Sequence, residues 1–195
     1  MKIKITLTLG MLLAGPLFSF STLAAEPSKP AASNPHDPMM AELMDEKGAA
    51  FEASFLAMMV EHHQRAVVMG KLADSRAENP ELKKMAGSMV SSQGAEIIQM
   101  KEWLKKWHAS SPQMYKAKGD AEKMMAESMS KLEAAKGSEF DRLFAMEMAA
   151  HHQSAIDMAG MALNRAEHPE VKELAGKIIK TQTEERKMLM KWAGQ

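Results

Sequence analysis

"MMVEHHQRAVVMG", residues 58–70, sets two adjacent histidines inside a stretch free of proline and of strand-like alternation. Met59 stands three residues before His62 and Met69 seven after it. At 3.6 residues per turn, Phe55, Met59, His62, Ala66, Met69 and Ala73 fall on one helical face, with His62 near its centre and His63 at its edge. The arrangement returns at 148–158 as "MAAHHQSAIDM", so four of the seven histidines belong to two copies of one pattern.

Working outward from these copies, a shift of 89 residues aligns 51–104 with 140–193 without a gap. Phe51/Phe140, Phe55/Phe144, Met59/Met148, His62/His151, His63/His152, Gln64/Gln153 and Met69/Met158 are identical pairs. So are Arg76/Arg165, Pro80/Pro169, Gln93/Gln182, Glu96/Glu185 and Trp103/Trp192. A weaker match continues upstream through Leu43/Leu132 and Gly48/Gly137. This is an internal duplication, and the fold is expected to carry a pseudo-two-fold axis.

Each copy reads as two helices. The first spans about 49–77, and 139–166 in copy two; the second spans about 80–107, and 169–193 in copy two. Asn79-Pro80-Glu81 and His168-Pro169-Glu170 restart the helix, because proline suits its first position and an acid its first turn. Shorter helices at about 38–47 and 120–136 precede each pair, separated from it by Gly48 and Gly137. The expected architecture is all-α: a ferritin-like four-helix bundle of two duplicated αα-hairpins, each preceded by a short helix. His36, His108 and His168 read as solvated or capping residues.

The ends of the chain divide differently. "MKIK" followed by the apolar run "ITLTLGMLLAGPLFSF" and the small residues of "STLAA" has the form of a secretory signal peptide over residues 1–24. Residues 25–38, rich in Pro and Ser, read as a disordered leader. The bundle then occupies 39–195, with repeat one at 39–108 and repeat two at 124–195. A periplasmic location is expected. Without the first 24 residues, 23 basic residues face 25 acidic ones, which argues against nucleic acid and gives no polybasic reason to sit on a membrane.

The chain has no cysteine but 21 methionines, 19 of them beyond the signal segment. Disulfides and thiolate metal sites are therefore absent. Methionine is a good helix former and core filler. It is also a soft ligand that escapes thiol oxidation. Position separates the two roles. On the second helix of each copy, Gln93 and Glu96, and likewise Gln182 and Glu185, point inward with the apolar residues. Two histidine pairs and two Gln-x-x-Glu pairs thus share the inner faces of one bundle. Buried polar groups cost free energy unless satisfied. Either they form a closed hydrogen-bonded layer, or imidazoles and thioethers bind a metal while Gln and Glu orient them.

Ferritin-like di-iron sites use Glu-x-x-His on two helices. Here the spacing is kept, but methionine replaces glutamate in Met59-x-x-His62 and Met148-x-x-His151, and Glu-x-x-His occurs nowhere. A soft thioether in place of a hard carboxylate disfavours iron and favours Cu(I) or its mimic Ag(I). The chain lacks His-Glu-x-x-His, a phosphate-binding glycine loop and Gly-x-Ser-x-Gly, so no enzyme is expected. The remaining methionines, such as Met124, Met125 and Met188, cover apolar surface or hold further Cu(I).

The two blocks "FLAMMVEHHQRAVVMG…NPELKKMAGSMVSSQGAEIIQMKEWL" and "FAMEMAAHHQSAIDMAG…HPEVKELAGKIIKTQTEERKMLMKW" resemble the family designated domain of unknown function 305. That resemblance covers about 40–195. It implies a ferritin-like bundle of the kind found in CopM-type periplasmic proteins, which bind copper and support copper resistance. Carried over by motif, the implied ligands are Met59, His62, His63 and Met69 with Met148, His151, His152 and Met158, and the metal Cu(I), with Cu(II) or Ag(I) as alternatives. Arg186 and Lys187 stand where copy one has Ile97 and Ile98, so the two halves are expected to differ. The expected role is copper buffering, resistance or delivery, with another periplasmic copper protein as a candidate partner and a homodimer as one option. Two other readings are a ferritin-like metal oxidase with Glu96 and Glu185 as ligands of a harder ion, and a metal-free helical interaction module.

Overall fold

The computed structural model describes residues 43–108 and 120–194. The signal-peptide and leader assignments, His36 and most of the first short helix lie outside the described residues. Five helices are defined: α1 (Gly48–Arg76), α2 (Pro80–Trp107), α3 (Asp120–Ala134), α4 (Gly137–Arg165) and α5 (Pro169–Trp192). Helices α1–α2 and α4–α5 form two hairpins that meet through α1 and α4, while α3 lies against α4. Among the described residues no strand occurs and no helix is long and apolar enough to cross a membrane.

Local chemistry sets the helix ends. Pro80 and Pro169 open α2 and α5, where a missing N–H costs nothing. Asn79 caps α2, its Oδ1 accepting from the amides of Glu81 and Leu82 at 2.9 and 3.2 Å. Gly48 and Gly137 begin α1 and α4 at φ of 60° and 61°, a left-handed turn that a side chain would strain. The duplicated arginines tie the repeats together. Arg165, ending α4, donates to the carbonyls of Leu43 and Met44 at 3.1 and 3.0 Å, and Arg76, ending α1, donates to the carbonyl of Glu133. Each therefore satisfies carbonyls at the end of the other repeat's short segment.

Helices α1 and α4 run antiparallel, and this divides the interior in two. One core joins the first half of α1 (Phe51, Phe55, Met59) to the last half of α4 (Met158, Ala159, Ala162). The other joins the last half of α1 (Ala66, Ala73) to the first half of α4 (Phe140, Phe144, Met148). In each core two phenylalanines stack, Phe51 on Phe55 at 6.1 Å and Phe140 on Phe144 at 6.2 Å. Burying one such side chain stabilises by about 1.5–3 kcal/mol. Between the cores lies a polar waist of His62, His63, Gln93, Glu96, His152 and Gln182, all buried.

A second polar feature joins the repeats at one end. The carboxylate of Glu52, fully buried, accepts four hydrogen bonds. Its Oε2 takes the amides of Glu167 and His168, both at 2.8 Å, and its Oε1 takes His168 Nδ1 at 2.6 Å and His108 Nε2 at 3.1 Å. His108 and His168 do stand at the cap positions the sequence suggested, His108 closing α2 with its amide donating to the carbonyl of Leu104 and His168 preceding α5, but their rings are engaged with Glu52 rather than free in solvent. His168 makes no side-chain cap, and its ring stacks on Trp107 at 3.8 Å with planes 7° apart. Burial of Glu52 raises its pKa, but the bonds from His168 and His108 more than offset this and hold it below the ordinary 4.5. Asp141, the counterpart of Glu52, accepts only the amides of Glu78 and Asn79, at 3.2 and 2.7 Å.

Candidate metal centre

The waist is assembled from α1 and α4. Adjacent residues on a helix point about 100° apart, so the two histidines of each pair address different neighbours. His62 faces the other repeat, where its ring lies against that of His151 with centroids 3.6 Å apart and planes tilted by 34°. His63 and His152 face their own hairpin partners. His63 Nε2 donates to Glu96 Oε2 at 2.9 Å, and His152 Nε2 to Glu185 Oε2 at 2.8 Å. Rings within a pair are 6.3 and 6.4 Å apart. Four imidazoles therefore cross the bundle in a row, with a carboxylate at each end.

With Nε2 carrying the proton towards a carboxylate, Nδ1 of His63 and of His152 keeps a lone pair. Both Nδ1 atoms are buried without a hydrogen-bond partner, as are His62 Nδ1 and both ring nitrogens of His151. Both amide atoms of Gln93 and Oε1 of Gln182 are in the same condition. Such a concentration of unsatisfied buried groups is rare in a structural polar layer. Burial, above all, pushes the pKa values of His62 and His151 well below 6.5, with the neighbouring histidines and Arg65 acting in the same direction. Both rings are thus neutral at neutral pH, the state in which imidazole binds metals.

The thioethers flank this row on both sides. Met59 and Met158 lie in the first core, one turn from His62 and seven residues beyond His151 respectively. Met148 lies in the second core, with Met69 packed against it. Met59, Met148 and Met158 are fully buried, and Met69 is half-buried. The eight residues singled out by motif therefore border one waist, but the methionines sort by core rather than by repeat: each flank takes one from α1 and one from α4. Among the described residues, no three His, Cys, Asp or Glu side chains are grouped so as to hold an ion by themselves. The groups gathered at and around the waist are imidazoles and thioethers, types that suit a soft ion.

The carboxylates are already engaged. Glu96 accepts from His63 and also pairs with Lys177, whose Nζ lies 3.1 Å from Oε1. Burial raises its pKa, but His63 and Lys177 bring it below 4.5. Glu185 holds His152. Lys177 was not foreseen; its counterpart is Ser88, so the duplication carries no signal for it. Glu52 was also missed, although an acid after the first phenylalanine of both copies, Glu52 and Asp141, marks it.

A duplicated helical hairpin with a histidine waist defines a class of bundle protein with a preformed polar site between two apolar cores. The sequence profile of the family described as Domain of unknown function (DUF305) matches residues 24–104 and 52–193, and the chain belongs to this family. CopM in its Cu(II)-bound form is 36% identical over 73% of this chain and 95% of its own, with a TM-score of 0.67. CopM in its Cu(I)-bound form is 35% identical over 72% and 94%, with a TM-score of 0.63. A DUF305 fragment from Deinococcus radiodurans shares the fold at 24% identity, covering 73% of this chain and 95% of its own, with a TM-score of 0.64. No match is found among curated proteins.

Proposed function

We propose that this protein holds Cu(I) in the periplasm, as a buffer that confers resistance or passes copper on, with Ag(I) as a mimic. The observation that carries the reading is the His62–His151 contact. It brings together the buried ring of His62 and the half-buried ring of His151, with unpartnered nitrogens, between the core that holds Met59 and Met158 and the core that holds Met148 with Met69 against it. CopM, solved in Cu(II)-, Cu(I)- and Ag-bound forms, supports copper or silver as the ion. The periplasmic location rests on the signal-peptide form of residues 1–24, which leaves a mature bundle at 39–195.

Each group has a task in this reading. Met59, Met69, Met148 and Met158 supply uncharged sulfur that carries no proton to displace. His62 and His151 supply nitrogen kept neutral by burial. Glu96 and Glu185 fix the tautomers of His63 and His152, so that Nδ1 faces inward as a ligand atom. Gln93 and Gln182 line the same waist. The role proposed is binding, not catalysis: the two glutamates that a metal oxidase would use as ligands are bonded to His63, Lys177 and His152.

A Cu(I) competition titration tests this on residues 25–195, beside a variant with His62, His63, His151 and His152 all changed to alanine. Circular dichroism checks that both are folded. The expected result is tight binding by the native chain and its loss in the folded variant. Equal binding by both would return the histidines to a purely structural polar layer.

A further inference from the structure

The histidine row ends on a glutamate at each side, and the two ends are built differently. Glu96, on α2, is shared between two donors: its Oε2 accepts from His63 Nε2 at 2.9 Å, and its Oε1 lies 3.1 Å from Lys177 Nζ on α5. At the other end Glu185 Oε2 accepts from His152 Nε2 at 2.8 Å, and among the described residues this glutamate has no equivalent of the lysine pair. The duplication breaks at this point. The counterpart of Lys177 is Ser88, exposed and uncharged, and Lys187, two residues after Glu185, pairs with Glu184 at 2.7 Å instead.

This difference reaches the ligand atoms through the imidazole ring. An ammonium on one oxygen draws charge from the whole carboxylate, so the other oxygen accepts a weaker bond from imidazole than an unshared carboxylate does. The bond a ligating histidine makes through one nitrogen in turn sets the basicity of the other: a stronger acceptor at Nε2–H makes Nδ1 a better donor to a metal. The side chain of Glu96 is 8% exposed, which keeps it coupled to His63, whereas that of Lys177 is 61% exposed. Solvent thus takes part of the lysine's effect, and a pair of this kind changes an affinity by about two- to fivefold rather than by orders of magnitude.

We propose that Lys177 is a positioning residue that acts through Glu96 and makes His63 the weaker of the two end ligands, so that a soft monovalent ion stays with His152 and lets go of His63 first. Lys177 belongs to repeat two and His63 to repeat one, so the chain Lys177–Glu96–His63 exists only where the two hairpins meet. This rests on the reading that the waist holds Cu(I) with Nδ1 of His63 and His152 among its ligand atoms.

The test compares the full chain with its Lys177→Ser variant (the residue the other repeat carries) and its Lys177→Arg variant. In the metal-free proteins, nuclear magnetic resonance of labelled histidine reads the Nε2–H protons. That of His63 is expected upfield of that of His152, as the weaker hydrogen bond. Lys177→Ser should move the His63 proton downfield and leave that of His152 in place, while Lys177→Arg should keep the native pattern. In a Cu(I) competition titration, His152→Ala should lose about two- to fivefold more affinity than His63→Ala, and in the Lys177→Ser background the two losses should become equal. The inference is overturned if Lys177→Ser leaves the His63 proton unmoved or shifts it upfield, if Lys177→Arg shifts it as much as Ser does, or if the two alanine losses are equal in the native background. The failures are separable. No Cu(I) uptake by the native chain removes the copper reading and the ligand ranking with it, whereas uptake with an unmoved His63 proton removes the ranking alone.

Discussion

At the scale of single residues, Glu52 shows how much one buried carboxylate can organise. It bonds two backbone amides and two imidazoles, linking the start of α1, the end of α2 and the turn before α5. Asp141 makes the corresponding link with two amides alone. Glu52→Gln loses the charge and gives one oxygen an N–H pair facing its former donors. It is expected to cost about 3 kcal/mol in urea denaturation, because a buried network is broken on one side only. Asp141→Asn should cost about 1 kcal/mol. Equal costs would show that the imidazoles add nothing to the latch. The sequence marks both positions as acids beside duplicated phenylalanines, but it does not reveal that His108, beyond the duplicated block, joins one of them.

At the scale of elements, helix boundaries were legible almost to the residue. Expected spans of 49–77, 80–107, 139–166 and 169–193 became Gly48–Arg76, Pro80–Trp107, Gly137–Arg165 and Pro169–Trp192. Local signals suffice here, since proline, a capping asparagine and glycine act on their own neighbours. Gly48 and Gly137 start their helices in a left-handed conformation that side chains avoid. A Cβ at Gly48 would lie 2.9 Å from Glu167 Oε1, but that is the free end of an exposed side chain and can swing aside. Backbone strain therefore dominates, and Gly48→Ala and Gly137→Ala should each cost about 1–2 kcal/mol in the same denaturation measurement. A neutral substitution at either would mean that the turn relaxes to another conformation.

At the scale of the whole molecule, the duplication places four imidazoles in one row and separates two apolar cores. His62 and His151 have folded pKa values well below the 6.5 of an unfolded histidine. Between those values the unfolded chain binds more protons than the folded one, so stability rises with pH across this window and falls as pH drops below about 6.5. Glu52 and Glu96, whose pKa values are lowered, stabilise above about 4.5 and lose that contribution at lower pH. The midpoint of thermal unfolding of the metal-free protein should therefore fall steadily from pH 7 to 5. In a His62→Ala, His151→Ala variant the slope should be markedly flatter. An unchanged slope would assign the acid sensitivity to other groups.

The sequence by itself determined the helices, the duplication, the inward-facing histidines and the exchange of glutamate for methionine, because all of these are periodic or local features of one chain. Only the tertiary structure decided which histidine meets which neighbour. The antiparallel crossing of α1 and α4 turned His62 onto His151 and sorted Met59 with Met158 and Met69 with Met148. Helical periodicity says which residues share a face; the register between two helices more than eighty residues apart is set by the packing of both cores at once, and no local pattern carries it.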